Sequence, residues 1–208
     1  NEAITYSFVD VQTSKLLNPK ENIIHLANPL SSEMSSMRNS IWPGLVKAVL
    51  YNLNRQKDRV RLFEIGLCFY LKKREDGLSL QNIRQEKKIA FVATGRKNQE
   101  NWTGESGEIG FFDLKGDLES LLILAQVEKE IYFVRSLNPA FHPGQSADII
   151  IGGERCGTLG QLEASTQKKL GLREKVFLCE IDLSVLGGAK VVQSKKLSKF
   201  PEIRRDLS

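Results

Sequence analysis

The sequence predicts an α+β domain built on a largely antiparallel sheet flanked by helices, and three observations carry that reading. Strand-like runs follow one another through short turns, most clearly in "SADIIIGGERCGTLGQL", where Gly152-Gly153 marks a tight hairpin. Two stretches of helical spacing interrupt those runs. With 208 residues, 41% of them hydrophobic and 26% charged, the chain is long enough to bury a substantial core.

The elements follow in order. "NEAITYSFVDVQTSKLL" has mixed periodicity and opens with a helix or a strand, and "IIHLANPLSSEMSSMRNSIWPGL" runs as strand, loop and turn. A helix follows, with Leu45, Val49, Leu50 and Leu53 on one stripe and Pro43 in its first turn, where a missing N–H costs nothing. "NLNRQKDR" ends it and leads into the strand "RVRLFEIGLCFY". After a polar loop around "KKREDGLSLQNIRQE" comes the strand "KIAFVATG", then a second polar excursion from Arg96 to Gly110; both loops are candidates for disorder. "FFDLKGDLESLLILA" is the clearest helix, with Asp113 as its expected N-cap and Leu114, Leu118, Leu121, Leu122 and Ala125 on one stripe. "EIYFVRSL", the Gly152-Gly153 hairpin and "KVFLCEIDLSVL" complete the sheet, with a short helix near "STQKKLGL" before the last strand.

The strand from Arg59 to Tyr70 raises the sharpest question. Alternation puts Phe63, Ile65, Leu67 and Phe69 on one face, the expected core face, and Leu62, Glu64, Gly66, Cys68 and Tyr70 on the other. A charge, a glycine and a thiol together read most simply as a solvated face, and otherwise as a partner contact or the floor of a ligand site.

Composition excludes several classes. No stretch approaches the roughly 18 apolar residues of a membrane helix, and the N-terminus lacks a secretory layout. The chain starts at Asn1 without a Met and is read as a fragment of a longer cytoplasmic protein. Cys68, Cys156 and Cys179 are odd in number and widely spaced, as buried reduced thiols are. With His25 and His142 far apart and no close Cys/His spacing, a transition-metal site has no support. Of the net charge of +5, residues 190–208 contribute +4, so the basic character is a tail, best read as a solvated linker, rather than a face.

Single motifs point to no chemistry. "GGERCGTLG" lacks the spacing of a dinucleotide or P-loop. "HPGQSA" has no nucleophile elbow, and His142 and Pro143 are expected to shape a loop before the next strand. Asp113, Asp117 and Glu119 are spread around a helix, not converged on a cation. Trp42 and Trp102 are isolated, which argues against a stacking platform for nucleic acid.

Five segments read together, "NPLSSEMSSMRNSIWPGLVKAVLYNLNRQ", "RLFEIGLCFY", "FFDLKGDLESLL", "NPAFHPGQSADIIIGGERCGTLGQL" and "FPEIRRDLS", resemble the bacterial-type phenylalanyl-tRNA synthetase beta subunit, in that family's order and across the whole chain. The resemblance implies a class II aminoacyl-tRNA synthetase-like sheet over residues 1–190. It also implies a basic linker and the start of a ferredoxin-like anticodon-binding domain over residues 191–208. It further implies that this module is non-catalytic and pairs with the catalytic alpha subunit in a heterotetramer that attaches phenylalanine to tRNA(Phe). ATP and Mg would serve the full complex, and no cofactor would bind this module.

In active class II relatives a strand like "FEIG" continues as Phe-Arg-x-Glu, the arginine holding the ATP α-phosphate. Here Phe69 matches, while Tyr70 stands at the arginine position and Lys72 at the glutamate. The family's glycine-rich final motif, with its own ATP-binding arginine, is missing from residues 147–190. A phenol lacks the guanidinium's permanent charge and forked donors. No residue is therefore assigned a catalytic role, and Arg38, Glu64, Arg204 and Arg205 are the structural or partner candidates. For Arg38 the expected partner is an ion pair, to Glu33 or Glu64, or a helix-cap contact. Two rival functions are a degenerate enzyme activating a carboxylic acid with ATP and a stand-alone RNA-binding module using the basic tail.

Overall fold

A computed structural model describes residues 1–19, 21–71, 82–99 and 107–187. Its N-terminal part holds β1 (Phe8–Val9), α1 (Val11–Leu17), β2 (Ile24–His25), β3 (Ser36–Met37) and α2 (Trp42–Leu53). The Asp10 carboxylate caps α1 by accepting the N–H groups of Gln12 and Thr13 at 2.8 and 3.2 Å. The three short strands form a small antiparallel sheet in the order β1-β3-β2. Six longer strands follow: β4 (Arg59–Leu71), β5 (Ile83–Gly95), β6 (Ile131–Arg135), β7 (Phe141–Ile151), β8 (Glu154–Leu162) and β9 (Val176–Asp182). Between them lie α3 (Phe111–Leu124) and the short α4 (Ala164–Lys169).

The six strands make one sheet in the order β4-β5-β9-β8-β7-β6, antiparallel at every step. β4 and β5 pair along their whole 13-residue lengths, from Arg59 opposite Gly95 to Leu71 opposite Ile83. β7 and β8 are joined by Gly152-Gly153, both with positive φ (60° and 83°), the conformation a two-residue hairpin demands.

The sheet is covered on both faces. On one, α2 supplies Leu45, Val46 and Val49, which pack with Trp42, Val92 and Leu178. On the other, Leu114, Leu118 and Leu122 of α3 pack against Ile149, Leu159 and Phe177. The strand β4 sorts only in part as its pattern predicts. Of the expected core face Phe69 is buried and Phe63 packs against the core under α3, but Ile65 and Leu67 between them are each 40% exposed, while Glu64, Cys68 and Tyr70 of the opposite face are buried. The reason is coverage, because α2 and the residues before it lie over the face carrying Glu64, and α3 packs on β8 and β9 rather than on β4.

Other differences are local. The N-cap of α3 is Gly110; Asp113 is its third residue, and its carboxylate accepts the Gly110 N–H at 2.9 Å. β5 begins at Ile83, so residues 83–86 belong to a strand, with Arg84 opposite Tyr70. His142 and Pro143 lie within β7, near the register shift between Phe141 and Ser146. The three cysteines are buried and free. Residues 191–208, including Arg204 and Arg205, Lys72 and much of both polar loops, lie outside the described residues.

On β7 and β8, Asp148 accepts from Arg155 Nε (3.0 Å) and Thr158 Oγ1 (2.7 Å). Burial alone would raise its pKa, but Arg155 and Thr158 outweigh that and hold the carboxyl below its ordinary range. A depressed carboxyl stabilises the fold above the ordinary value of about 4, and this contribution is lost as pH falls through the lower native value. Asp148→Asn is therefore expected to lower stability at neutral pH and to flatten the acid limb of a denaturation-midpoint profile. An unchanged acid limb would remove Asp148 from that role.

Candidate functional site

The face of the sheet that α2 partly covers carries a row of polar residues, and the structure shows how each is held. Residues 1–3 run along the outer edge of β4, and the segment then passes to β3, where Phe8 pairs with Met37. The Ala3 N–H donates to the Phe63 carbonyl at 2.8 Å, the Phe63 N–H to the Asn1 carbonyl at 3.0 Å, and Glu2 bridges Phe63 in parallel. Further along the edge Arg38 takes over. Its carbonyl accepts the Phe69 N–H at 2.9 Å, and its Nε donates to the Leu67 carbonyl at 2.8 Å. A single arginine thus satisfies the edge strand as a neighbouring strand would.

The same guanidinium reaches Glu64. Arg38 Nη1 lies 2.7 Å from Glu64 Oε1, and Thr5 Oγ1 donates to Glu64 Oε2 at 2.7 Å. Arg38 and Glu64 are 4% and 3% exposed, so the pair is a buried one. Both oxygens of the carboxylate are occupied, which is what a charge in a core requires. Gly66 is explained by the same contact: a Cβ there would stand 2.0 Å from Arg38 Nη2. Gly44 of α2 likewise makes room for Thr5, whose Oγ1 would be 2.1 Å from a Cβ.

Beyond Gly66 the row continues into a polar cavity of about 250 Å³ on the sheet face, bordered by Tyr70, Glu86, Lys88, Thr158, Glu180 and Asp182. The Tyr70 hydroxyl donates to the Asn39 carbonyl at 2.8 Å, so the phenol is anchored to the turn before α2. Glu180 Oε1 accepts from Ser40 Oγ at 2.9 Å and the Ile41 N–H at 2.7 Å. Burial raises its pKa, opposed by Lys88 and these two donors. Lys88 Nζ lies 3.1 Å from Asp182 Oδ1, 3.8 Å from Glu180 Oε2 and 3.9 Å from Glu86 Oε2. Burial alone would lower its pKa, but Glu180, Tyr70 and Asp182 outweigh it, and the ammonium titrates above its ordinary range. Burial, with Glu180 close by, also pushes the Cys68 thiol up, which makes it inert rather than nucleophilic.

Of the sequence candidates, Arg38 and Glu64 meet here, and Tyr70 sits on the same face. Glu33 pairs instead with Lys47 on the surface. Thr5, Lys88 and Glu180 were not singled out. For Glu180 a signal existed: "VFLCEIDL" encloses a carboxylate in an apolar strand just as "RLFEIGL" does. Thr5 and Lys88 carried none, because Thr5 meets Glu64, 59 residues away, and Lys88 meets Glu180, 92 residues away, and Asp182 beside it across the sheet. Among the described residues no group of three or more His, Cys, Asp and Glu side chains is arranged to hold a metal ion.

Solved structures identify the architecture. The chain superposes on a pyrrolysyl tRNA synthetase from Desulfitobacterium hafniense with a TM-score of 0.59 at 16% identity, covering 89% of this chain and 60% of that one. A second structure of that organism's enzyme gives 0.59 at 15% identity, with 89% and 61% coverage. The fold is that of a class II aminoacyl-tRNA synthetase. Sequence comparison then narrows it. The chain belongs to the family of the phenylalanyl tRNA synthetase beta chain CLM domain, whose model matches residues 1–183. It is 47% identical over 207 residues to the phenylalanine–tRNA ligase beta subunits of Pasteurella multocida and of Haemophilus influenzae, and 43% identical to that of Pseudomonas fluorescens. In each case the whole chain is matched, and it spans about a quarter of the relative's length (26%, 26% and 25%).

The buried pair makes a quantitative expectation. Arg38→Met and Glu64→Gln each leave a buried partner uncompensated and should each cost about 3–5 kcal/mol. The double variant should cost clearly less than the sum of the two, a coupling that denaturant unfolding of the four species measures. Strict additivity would show that the two groups do not depend on each other.

Proposed function

We propose that this chain is a non-catalytic scaffold module of a phenylalanine–tRNA ligase beta subunit, pairing with the catalytic alpha subunit to support ATP-dependent attachment of phenylalanine to tRNA(Phe). The observation that carries the reading is the state of the would-be nucleotide face. Position 70 presents a phenol already committed to Asn39, and the ammonium of Lys88 is surrounded by three carboxylates. ATP brings about four negative charges and needs free cations or exposed donors to meet them. The residues present do not fit it. They do not fit a Mg ion either, because Lys88 takes the place among Glu86, Glu180 and Asp182 that a cation would need. ATP and Mg, in this reading, serve the alpha subunit.

The pairing surface is assigned to the apolar groove of about 860 Å³ between the N-terminal segment and α2. Ile4 and Tyr6, 91% and 72% exposed, line it together with Phe8 and Tyr51. Apolar side chains at that exposure lose surface to water unless a partner covers them. Arg38 and Glu64 are positioning residues in this assignment, holding the segment that forms one wall. Arg204 and Arg205 are kept as candidates for tRNA or partner contact. No helix among the described residues is long and apolar enough to cross a membrane.

Two measurements test the reading. The full-length beta chain without its partner should show ATP–pyrophosphate exchange at background, and Tyr70→Arg should leave it there, because the surrounding carboxylates and the missing final motif remain. Exchange above background would establish a degenerate enzyme instead. Ile4→Asp combined with Tyr6→Asp should weaken association with the alpha subunit by about a hundredfold, corresponding to roughly 2.7 kcal/mol, in a sedimentation or co-purification assay. Unchanged assembly would move the interface elsewhere.

A further inference from the structure

The polar cavity on the sheet face holds an unusual arrangement for a space bordered by charges, since its most enclosed cation belongs to the chain itself. Lys88 projects from the middle of β5, opposite Gly66 on β4 and Asp182 on β9. Its ammonium faces carboxylates of two strands: Glu86 of β5, and Glu180 and Asp182 of β9, at 3.9, 3.8 and 3.1 Å. The ring of Tyr70 on β4 closes a fourth side, its centroid 5.4 Å from Nζ, within cation–π range. Glu180 is fixed by Ser40 and Ile41, and Tyr70 by Asn39, so two walls of the cage are held independently of the cation they face. Arg84 stands outside, over the same ring and paired with Glu86 at 3.1 Å, with 60% of its side chain exposed.

Carboxylates and an aromatic ring around one largely enclosed ammonium, whose side chain is 15% exposed, are the chemistry by which proteins recognise primary and quaternary amines. We propose that this cavity is a built ammonium site occupied by the chain's own Lys88, which closes it to outside amines, and that removing the side chain beyond Cβ opens it to a small primary alkylammonium. The geometry specifies the ligand. Lys88→Ala deletes three methylenes and the ammonium, the shape and charge of n-propylammonium. Bound there, that cation would restore the links among β4, β5 and β9 without a covalent tether.

The test uses the full-length beta chain and hydrogen exchange of peptides from β5 and β9. Lys88→Ala should accelerate exchange there by about tenfold or more, and n-propylammonium at tens of millimolar should reverse most of that change. 1-Propanol, which has the shape without the charge, and sodium chloride at equal ionic strength should not. Lys88→Met fills the same space and should gain nothing from the amine. Reversal by salt or alcohol as effective as by propylammonium, or no reversal, overturns the proposal. Should Lys88→Ala not yield folded protein, amine acylation of the unmodified chain decides. Lys88 should react about tenfold more slowly than the exposed Lys47, and Asp182→Asn should release it; equal rates for Lys88 and Lys47 overturn the cage.

Discussion

The buried pair of Arg38 and Glu64 is the constraint around which the other features of this face arrange themselves. Removing two charges from water costs several kcal/mol each, and their attraction offsets this only where every remaining donor and acceptor is satisfied. Here that condition recruits specific partners. Thr5 supplies a hydroxyl to the second carboxylate oxygen, the Leu67 carbonyl takes the guanidinium Nε, and Gly66 gives up its side chain so that the guanidinium can lie against the strand. Because Arg38 also accepts the Phe69 N–H and donates its own N–H to the Ser7 carbonyl, one residue joins the N-terminal segment, the turn before α2 and the edge of the large sheet.

The same logic repeats two strands away with different letters. Glu180 is buried in β9 as Glu64 is in β4, and it too is met by the turn before α2, through Ser40 and the Ile41 N–H. Residues 38–41 therefore answer two buried carboxylates at once, one with a guanidinium and one with neutral donors. Lys88 supplies the remaining positive charge. Among the described residues the cations deep in this face, Arg38 and Lys88, each face carboxylates of the same chain, so these residues leave little electrostatic capacity for an anionic ligand. A catalytic site of the same fold would need the reverse, with cations held in place but unspent.

How much of this was legible in the sequence depends on how local the determining contacts are. The antiparallel sheet, the Gly152-Gly153 hairpin, and the helices at Trp42–Leu53 and Phe111–Leu124 follow from periodicity and turn chemistry, which act within a few residues. The faces of β4 followed only in part, since Phe69 is buried as expected but Ile65 and Leu67 are not. Alternation identifies two sets of residues but not which set is covered, and coverage is decided by α2 and by residues 1–8, remote in sequence. The oddity of Glu64 and Gly66 was visible, and Arg38, 26 residues upstream, was among the partners expected for Glu64, but the choice of Glu64 over Glu33 and the need for glycine at 66 rest on tertiary packing. Glu180 offered the same local sign. Lys88 offered none, since a lysine at the start of an apolar strand ordinarily reads as a solvated end.

The N-terminal segment shows how an internal pair and an external surface come to share one element. Along residues 3–8, Ala3, Thr5 and Ser7 turn inward, while Ile4, Tyr6 and Phe8 turn outward, the alternation of an extended chain. Thr5 is bonded to Glu64 on the inner side, and its neighbours on either side form the wall of the apolar groove. The geometry that seats Thr5 against Glu64 and Gly44 therefore also sets the pitch at which Ile4 and Tyr6 are presented. Under the pairing proposed here, loss of the Arg38–Glu64 pair would act at a distance on assembly, because a loosened segment must be ordered again when the partner binds. A charge pair that contributes little net stability relative to an apolar replacement can persist for this reason: it holds an exposed, otherwise weakly anchored strand in the one conformation its partner reads.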